Sequence, residues 1–203
     1  MTTDFTWPQE RFEDVAASAG LTPSQTVGPF FHDSLPYDQG PRVAGPERAG
    51  VFRLTGRVLD GDGAPIPDSL VEIWQADETG SFVDEPGIYG EVTGSGFRGF
   101  GRSATDPDGW YEFHTVKPAA VTTVDGDHQA PHLAMSVFAR GMLRRLVTRV
   151  YFPGTDNGAD PLLSALDEHR RATLLAAATD DGYRFDVHMQ GDQETVFLDV
   201  FAR

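Results

Sequence analysis

Apolar and polar positions alternate in short runs along most of this chain, and stretches rich in glycine, proline and aspartate separate the runs. In VFRLTGRVL, residues 51–59, Phe52, Leu54 and Val58 alternate with Arg53, Thr55 and Arg57, the period of a half-buried strand. SLVEIWQA (69–76), HLAMSVFAR (132–140) and RRLVTRVYF (144–152) read as further strands. GRSATD and WYEFHTV read as a hairpin around DPDG, and YRFDVHM and ETVFLDVF as a last pair joined at GDQ. DGDGAPIPD and DETG carry turn residues, and residues 81–100 read as a long glycine-containing loop. One helix interrupts the strands: PLLSALDEHRRATLLAAA, 161–178, has Asp160 as N-cap and Pro161 at its first position. A short helix is expected at 8–19, between Pro8 and Gly20, followed by an irregular arm over 21–50. The pattern therefore predicts a mostly β protein of about eight strands. It is an antiparallel β-sandwich with long loops, one C-terminal-half helix and a short N-terminal helix. Residues 1–50 form the helix and arm and 51–203 the core of one structural domain.

Composition narrows the function. The 203 residues, 39% hydrophobic and 23% charged, suit one soluble globular domain. With no cysteine, disulfides, thiolate chemistry and cysteine zinc sites are excluded, which fits a cytoplasmic location. No apolar run approaches the roughly 20 residues that span a bilayer, and the N-terminus has no signal-peptide pattern. Sixteen Lys and Arg stand against 31 Asp and Glu, a net charge of −15. Such a surface repels phosphate backbones and anionic lipids, so neither nucleic acid nor membrane is an expected partner. An anion site would depend on local arginines.

The candidate chemistry is sparse. DGDG (60–63), DPDG (106–109) and DGD (125–127) lack the downstream glutamate of a calcium loop and read as turns. His114, His128 and His132 lie close in sequence, but Gly126 and Pro131 argue against a helix that would align the last two. Taken alone, His132 reads as a buried or rim histidine. His32, His169 and His188 are isolated, and GSGFRGFG lacks a phosphate-loop lysine.

Longer motifs go further. LTGRVLDGDGAPIPDSLVEIWQADETGSF (54–82), FGRSATDPDGWYEFHTVKP (100–118) and QAPHLAMSVFARG (129–141) resemble the intradiol ring-cleavage dioxygenases. TPSQTVGPFFH (22–32) and YRFDVHMQGDQETVFLDVF (183–201) resemble the two ends of the alpha chain in a branch built from homologous alpha and beta chains. The resemblance covers roughly residues 20–201. It implies a non-haem Fe(III) held by two tyrosines and two histidines. Tyr89 matches the first tyrosine and Val121 stands where the second belongs. His132 matches the first residue of an H-x-H pair and Ala134 replaces the second. Valine and alanine have no donor atom, so these four are degenerate ligand positions, and the resemblance assigns Fe(III) to the partner beta subunit. It implies a hetero-oligomer of alpha–beta pairs acting on an aromatic small-molecule substrate and O2, with no catalytic residue in this chain. Arg140 matches an arginine that reaches the shared pocket, where its planar fork suits a ring carboxylate. Thr26, Gly28 and Pro29 match a loop that caps the cavity, with Gly28 allowing close approach to a ligand and Pro29 stiffening the wall. Two alternatives stay open. One is a self-sufficient dioxygenase with unusual ligands drawn from Tyr89, His114, His128 and His132. The other is a non-catalytic β-sandwich binding module.

Overall fold

The alternating runs fold into two facing sheets. The computed structural model describes residues 25–83, 90–123, 125–155 and 157–200. The helix expected at 8–19 lies outside them, as does Tyr89. After a one-turn helix α1 (Phe31–Ser34) come strands β1 (Val51–Leu59), β2 (Leu70–Trp74), β3 (Phe100–Ala104) and β4 (Trp110–Val116). They are followed by β5 (Val121–Thr122), β6 (His128–Gln129), β7 (His132–Phe138) and β8 (Leu146–Tyr151). Helices α2 (Pro161–Ala165) and α3 (Glu168–Ala172) precede β9 (Ala177–Thr179), β10 (Gly182–Arg184) and β11 (Val187–His188).

β1 runs through the middle of the first sheet. β4 lies antiparallel along one side of it, and β10 and β11 lie parallel along the other, with β9 beyond β10. The second sheet has the order β3-β2-β7-β8, antiparallel throughout, and β5 and β6 form a separate small hairpin. Leu54, Val58 and Phe113 point from the first sheet into a core shared with Val71, Ile73, Leu133, Met135, Val137 and Val150 of the second. Val43, from the arm, is fully buried in the same core. Each such side chain contributes about 1.5–3 kcal/mol when removed from water.

Four expectations change in detail. The sandwich is mixed rather than purely antiparallel, because β10 and β11 join β1 in parallel. The expected strand YRFDVHM is cut in two where it passes Gly56. A Cβ there would lie 1.7 Å from the Phe185 carbonyl oxygen, so only glycine admits the Phe185 backbone, whose N–H donates to Thr55. DPDG joins layers rather than closing a ladder: β3 pairs with β2 in one sheet and β4 with β1 in the other. Alternation identifies strands but not their partners. ETVFLDVF forms no strand within the described residues; its Thr195 N–H donates to His188 and its Leu198 N–H to Val147.

The helix expected over 161–178 breaks after one turn. Leu166 is extended, and Asp167 caps a new turn by accepting from the Arg170 N–H at 2.8 Å. Arg171 donates to the carbonyls of Leu163 and Leu166. Residues 174–176 then pair with the end of β8, through Tyr151 N–H to Leu174 and Ala176 N–H to Tyr151. Burial of Leu174 beside Tyr151 and Leu163 outweighs the helical propensity of the leucine–alanine run.

Candidate functional site

β7 begins in a cavity of about 150 Å3. Its odd side chains face the core, so His132 and Ala134 face outward from the second sheet. In the register, Ala134 lies between Trp74 of β2 and Arg149 of β8, and His132 opposite Tyr151. Trp74, Phe82, Val121, His132 and Ala134 line the cavity together. Three of the four positions that match family iron ligands are thus brought to one place.

His132 brings a titratable ring to the cavity. Its Nδ1 donates to the Ala130 carbonyl at 2.8 Å, which fixes the tautomer and leaves Nε2 as an acceptor. Gln75, also on the wall, is committed to Thr115, Ala76 and Val116. Burial, reinforced by the nearby Arg149 guanidinium, pulls the His132 pKa down to about 4 against the opposing pull of the Ala130 carbonyl and Asp160. Tyr151, whose ring centroid is 5.5 Å from that of His132, is no substitute phenolate. Its hydroxyl donates to Asp160 at 3.1 Å, and burial pushes its pKa up to about 12.

The cavity does not fit a ferric ion. Val121 and Ala134 offer no donor, and among the described residues no three His, Asp or Glu side chains converge as metal ligands. Arg149 places a cation across from Ala134, on the face a metal would share. Sequence reasoning missed Arg149; its signal was a charge in mid-strand, on the same outward face as Val147 and Tyr151. The unusual ligand set is not gathered either. His114 lies on β4 in the other sheet, 3.7 Å from Glu112, and His128 is exposed on the small hairpin.

Arg140 lies beyond the far end of β7, a strand about 20 Å long at 3.3 Å per residue. It occupies a tight turn, Ala139–Met142, closed by Met142 N–H to Ala139 at 3.2 Å with Gly141 at φ 87°. Its Nε lies 2.9 Å from Asp68 Oδ2, and its side chain is 66% exposed. The Thr26–Pro29 loop leads into α1. The Gly28 N–H lies 3.4 Å from Thr26 Oγ1, and the Pro29 carbonyl lies 3.2 Å from His32 Nδ1. Arg102 on β3, paired with Glu72, donates to the Leu35 carbonyl and ties α1 to the second sheet. Within this chain, Gly28 is required by its φ of 79° and not by crowding, because nothing lies within 4 Å of a Cβ there. Among the described residues no hydrogen bond or ion pair links this loop to Arg140.

The family model for dioxygenases matches residues 26–191. The protocatechuate 3,4-dioxygenase alpha chain of Burkholderia cepacia is 41% identical over 198 residues, covering 88% of this chain and 97% of that one. The alpha chain of Pseudomonas putida is 39% identical, covering 88% and 96%. The beta chain from Burkholderia cepacia is 36% identical over 70% of this chain and 65% of that one. Among solved structures, catechol 1,2-dioxygenase from Pseudomonas arvilla C-1 superposes with a TM-score of 0.55 at 21% identity, covering 96% of this chain and 70% of that one, which speaks for the fold. The motifs, the sandwich and the relatives agree: this chain belongs to the intradiol dioxygenase family, in the branch of the protocatechuate 3,4-dioxygenase alpha chains.

Proposed function

We propose that this chain is the non-catalytic alpha subunit of a protocatechuate 3,4-dioxygenase, an oxidoreductase assembled from alpha–beta pairs. In this reading the homologous beta chain holds the ferric ion, and the alpha chain supplies part of the substrate wall. The assembled enzyme adds O2 across the bond between the two ring hydroxyl-bearing carbons of protocatechuate, giving 3-carboxy-cis,cis-muconate. The observation that carries the reading is the cavity at the start of β7, where Val121 and Ala134 occupy ligand positions without donor atoms. Similarity to alpha chains along nearly their whole length supports it.

Arg140, in this reading, binds the carboxylate that distinguishes protocatechuate from catechol. An exposed guanidinium on a turn corner suits a ligand approaching from a partner. Thr26, Gly28 and Pro29 cap the same shared cavity, and Phe30, 73% exposed, adds apolar wall.

The test is to express the chain with and without its beta partner and to measure iron, the phenolate-to-iron absorption and O2 uptake with protocatechuate. The pair is expected to have all three and the lone chain none. Stoichiometric iron with turnover in the lone chain would overturn the proposal. In the pair, Arg140→Ala is expected to raise KM for protocatechuate by about 1–3 kcal/mol of lost charge-assisted binding, with little change for catechol.

A further inference from the structure

We infer that Asp68 is a positioning residue that pairs with the Arg140 guanidinium at Nε and leaves its terminal Nη fork open for an aromatic carboxylate. The inference rests on the carboxylate role proposed for Arg140 and adds the group that sets its specificity.

The geometry comes from both ends of the pair. Asp68 pairs with Arg140 through Nε, at 2.9 Å, and among the described residues no hydrogen bond takes the two Nη groups. Arg53 also meets a carboxylate, that of Glu112, through Nε alone, but Arg48, Arg102 and Arg184 are used differently. Arg48 gives Nε and Nη2 to Glu78 and Nη1 to the Ser95 carbonyl. Arg102 gives Nε and Nη2 to Glu72 and Nη1 to the Leu35 carbonyl. Arg184 gives Nε and Nη2 to Asp186. Each of these commits a two-donor edge to a carboxylate. Arg140 keeps its terminal Nη1/Nη2 edge, which is the geometry for a second, bidentate carboxylate.

Both anchors are rigid. Arg140 sits in the Ala139–Met142 turn, whose Gly141 has the positive φ that the third position of such a turn requires. Asp68 lies between Pro67 and Ser69 in a segment fixed at several points. The Ile66 N–H donates to the Val58 carbonyl, and the Ser69 N–H donates to Thr105 Oγ1 at 2.9 Å. The Thr105 hydroxyl donates to the Ile66 carbonyl, and the Thr105 N–H to the Ser69 carbonyl. The Asp68 side chain is only 15% exposed while that of Arg140 is 66% exposed, so a sheltered carboxylate steers an accessible cation.

Two effects of Asp68 oppose each other. Its charge repels an incoming carboxylate, and its grip removes the rotamer freedom that Arg140 would otherwise lose on binding. The repulsion acts at an exposed, salt-screened guanidinium and is small. An arginine side chain carries rotamer entropy worth up to roughly thirtyfold in affinity, and an exposed ion pair recovers up to about fivefold of it, so the grip dominates.

The test uses the assembled alpha–beta enzyme and steady-state kinetics with protocatechuate and catechol. Asp68→Ala is expected to raise KM for protocatechuate by roughly two- to fivefold. It should leave kcat within about twofold and KM for catechol unchanged, because only the carboxylate-bearing ring uses the fork. Asp68→Asn, which removes the charge of the ion pair, should behave like Asp68→Ala. In the Arg140→Ala background, Asp68→Ala should add nothing. An unchanged or lowered KM, an equal rise for catechol, or an effect that persists without Arg140 would overturn the role of Asp68 while leaving that of Arg140 intact. If Arg140→Ala itself spares the KM for protocatechuate, the carboxylate reading and this inference fall together.

Discussion

His132 makes the fold acid-sensitive by an amount that can be worked out in advance. Burial first, and Arg149 second, hold its folded pKa near 4, against about 6.5 for an unfolded histidine. The unfolded chain therefore binds the proton more readily. The stabilisation due to a neutral His132 is fully present above pH 6.5. It is lost as pH falls, and the loss is complete below pH 4. Each unit of difference corresponds to about 1.4 kcal/mol, so the loss reaches about 2 kcal/mol at pH 5 and about 3 kcal/mol at pH 4. The perturbation is His132→Phe, which keeps a ring against Tyr151 and removes the titration. Urea unfolding of both proteins at pH 7 and pH 5 cancels the carboxylate contributions common to the two. The parent is expected to lose about 2 kcal/mol more than the variant over that interval. A proton NMR titration of the His132 ring should give a midpoint well below 6. Parallel acid curves, or a midpoint at the ordinary histidine value, would refute the argument that the ring is sealed in its neutral tautomer beside a cation. Arg149→Met should raise the midpoint without restoring it fully, since burial is the larger cause.

Three further outcomes follow from the same geometry. Asp160 is fully buried and accepts from the N–H groups of Ala130, Leu162 and Leu163 and from the Tyr151 hydroxyl. Asp160→Ala should cost about 3–5 kcal/mol in urea unfolding by stranding those donors. Gly56→Ala drives a methyl into the Phe185 carbonyl and should abolish soluble expression, or lower Tm by well over 10 °C in thermal denaturation. Val121→Tyr with Ala134→His restores two donor side chains but leaves Arg149 across from position 134, a repulsion of several kcal/mol for a triply charged ion. Metal analysis should find well under one iron per chain, rising when Arg149→Leu is added.

Much of the fold was legible because its signals are local. Asp60, Asp77 and Asp106 each use Oδ1 to accept from the N–H two and four residues on, which is why Asp-x-x-Gly turns fall where the strands stop. Strand pairing was not local. WYEFHTV and GRSATD are both good strands, but the inward faces of Phe113 and Ser103 belong to different layers, and only the closed core decides that. The helix at 161–178 failed for the same reason. Asp160 and Pro161 start it as read, with the Asp160 side chain accepting from Leu162 and Leu163. Its second half is then extended by pairing with Tyr151, nearly twenty-five residues upstream.

The site was half legible for a physical reason. Missing donors can be read off a motif, because valine and alanine lack ligand atoms in any conformation. A charge that replaces a metal cannot be found that way, because it comes from another strand. Arg149 is fifteen residues past Ala134 and meets it only through the β7–β8 register. Its cation is drawn inward, by the Tyr151 hydroxyl at 3.2 Å and Asp160 at 4.0 Å, and it reinforces the burial that keeps His132 neutral. Arg140, by contrast, follows the same β7 run with its Nε paired to Asp68 and its side chain turned to solvent. In a chain with 31 acidic residues, the presence of an arginine says little. What separates the two is accessibility: the Arg149 side chain is 20% exposed and that of Arg140 66%.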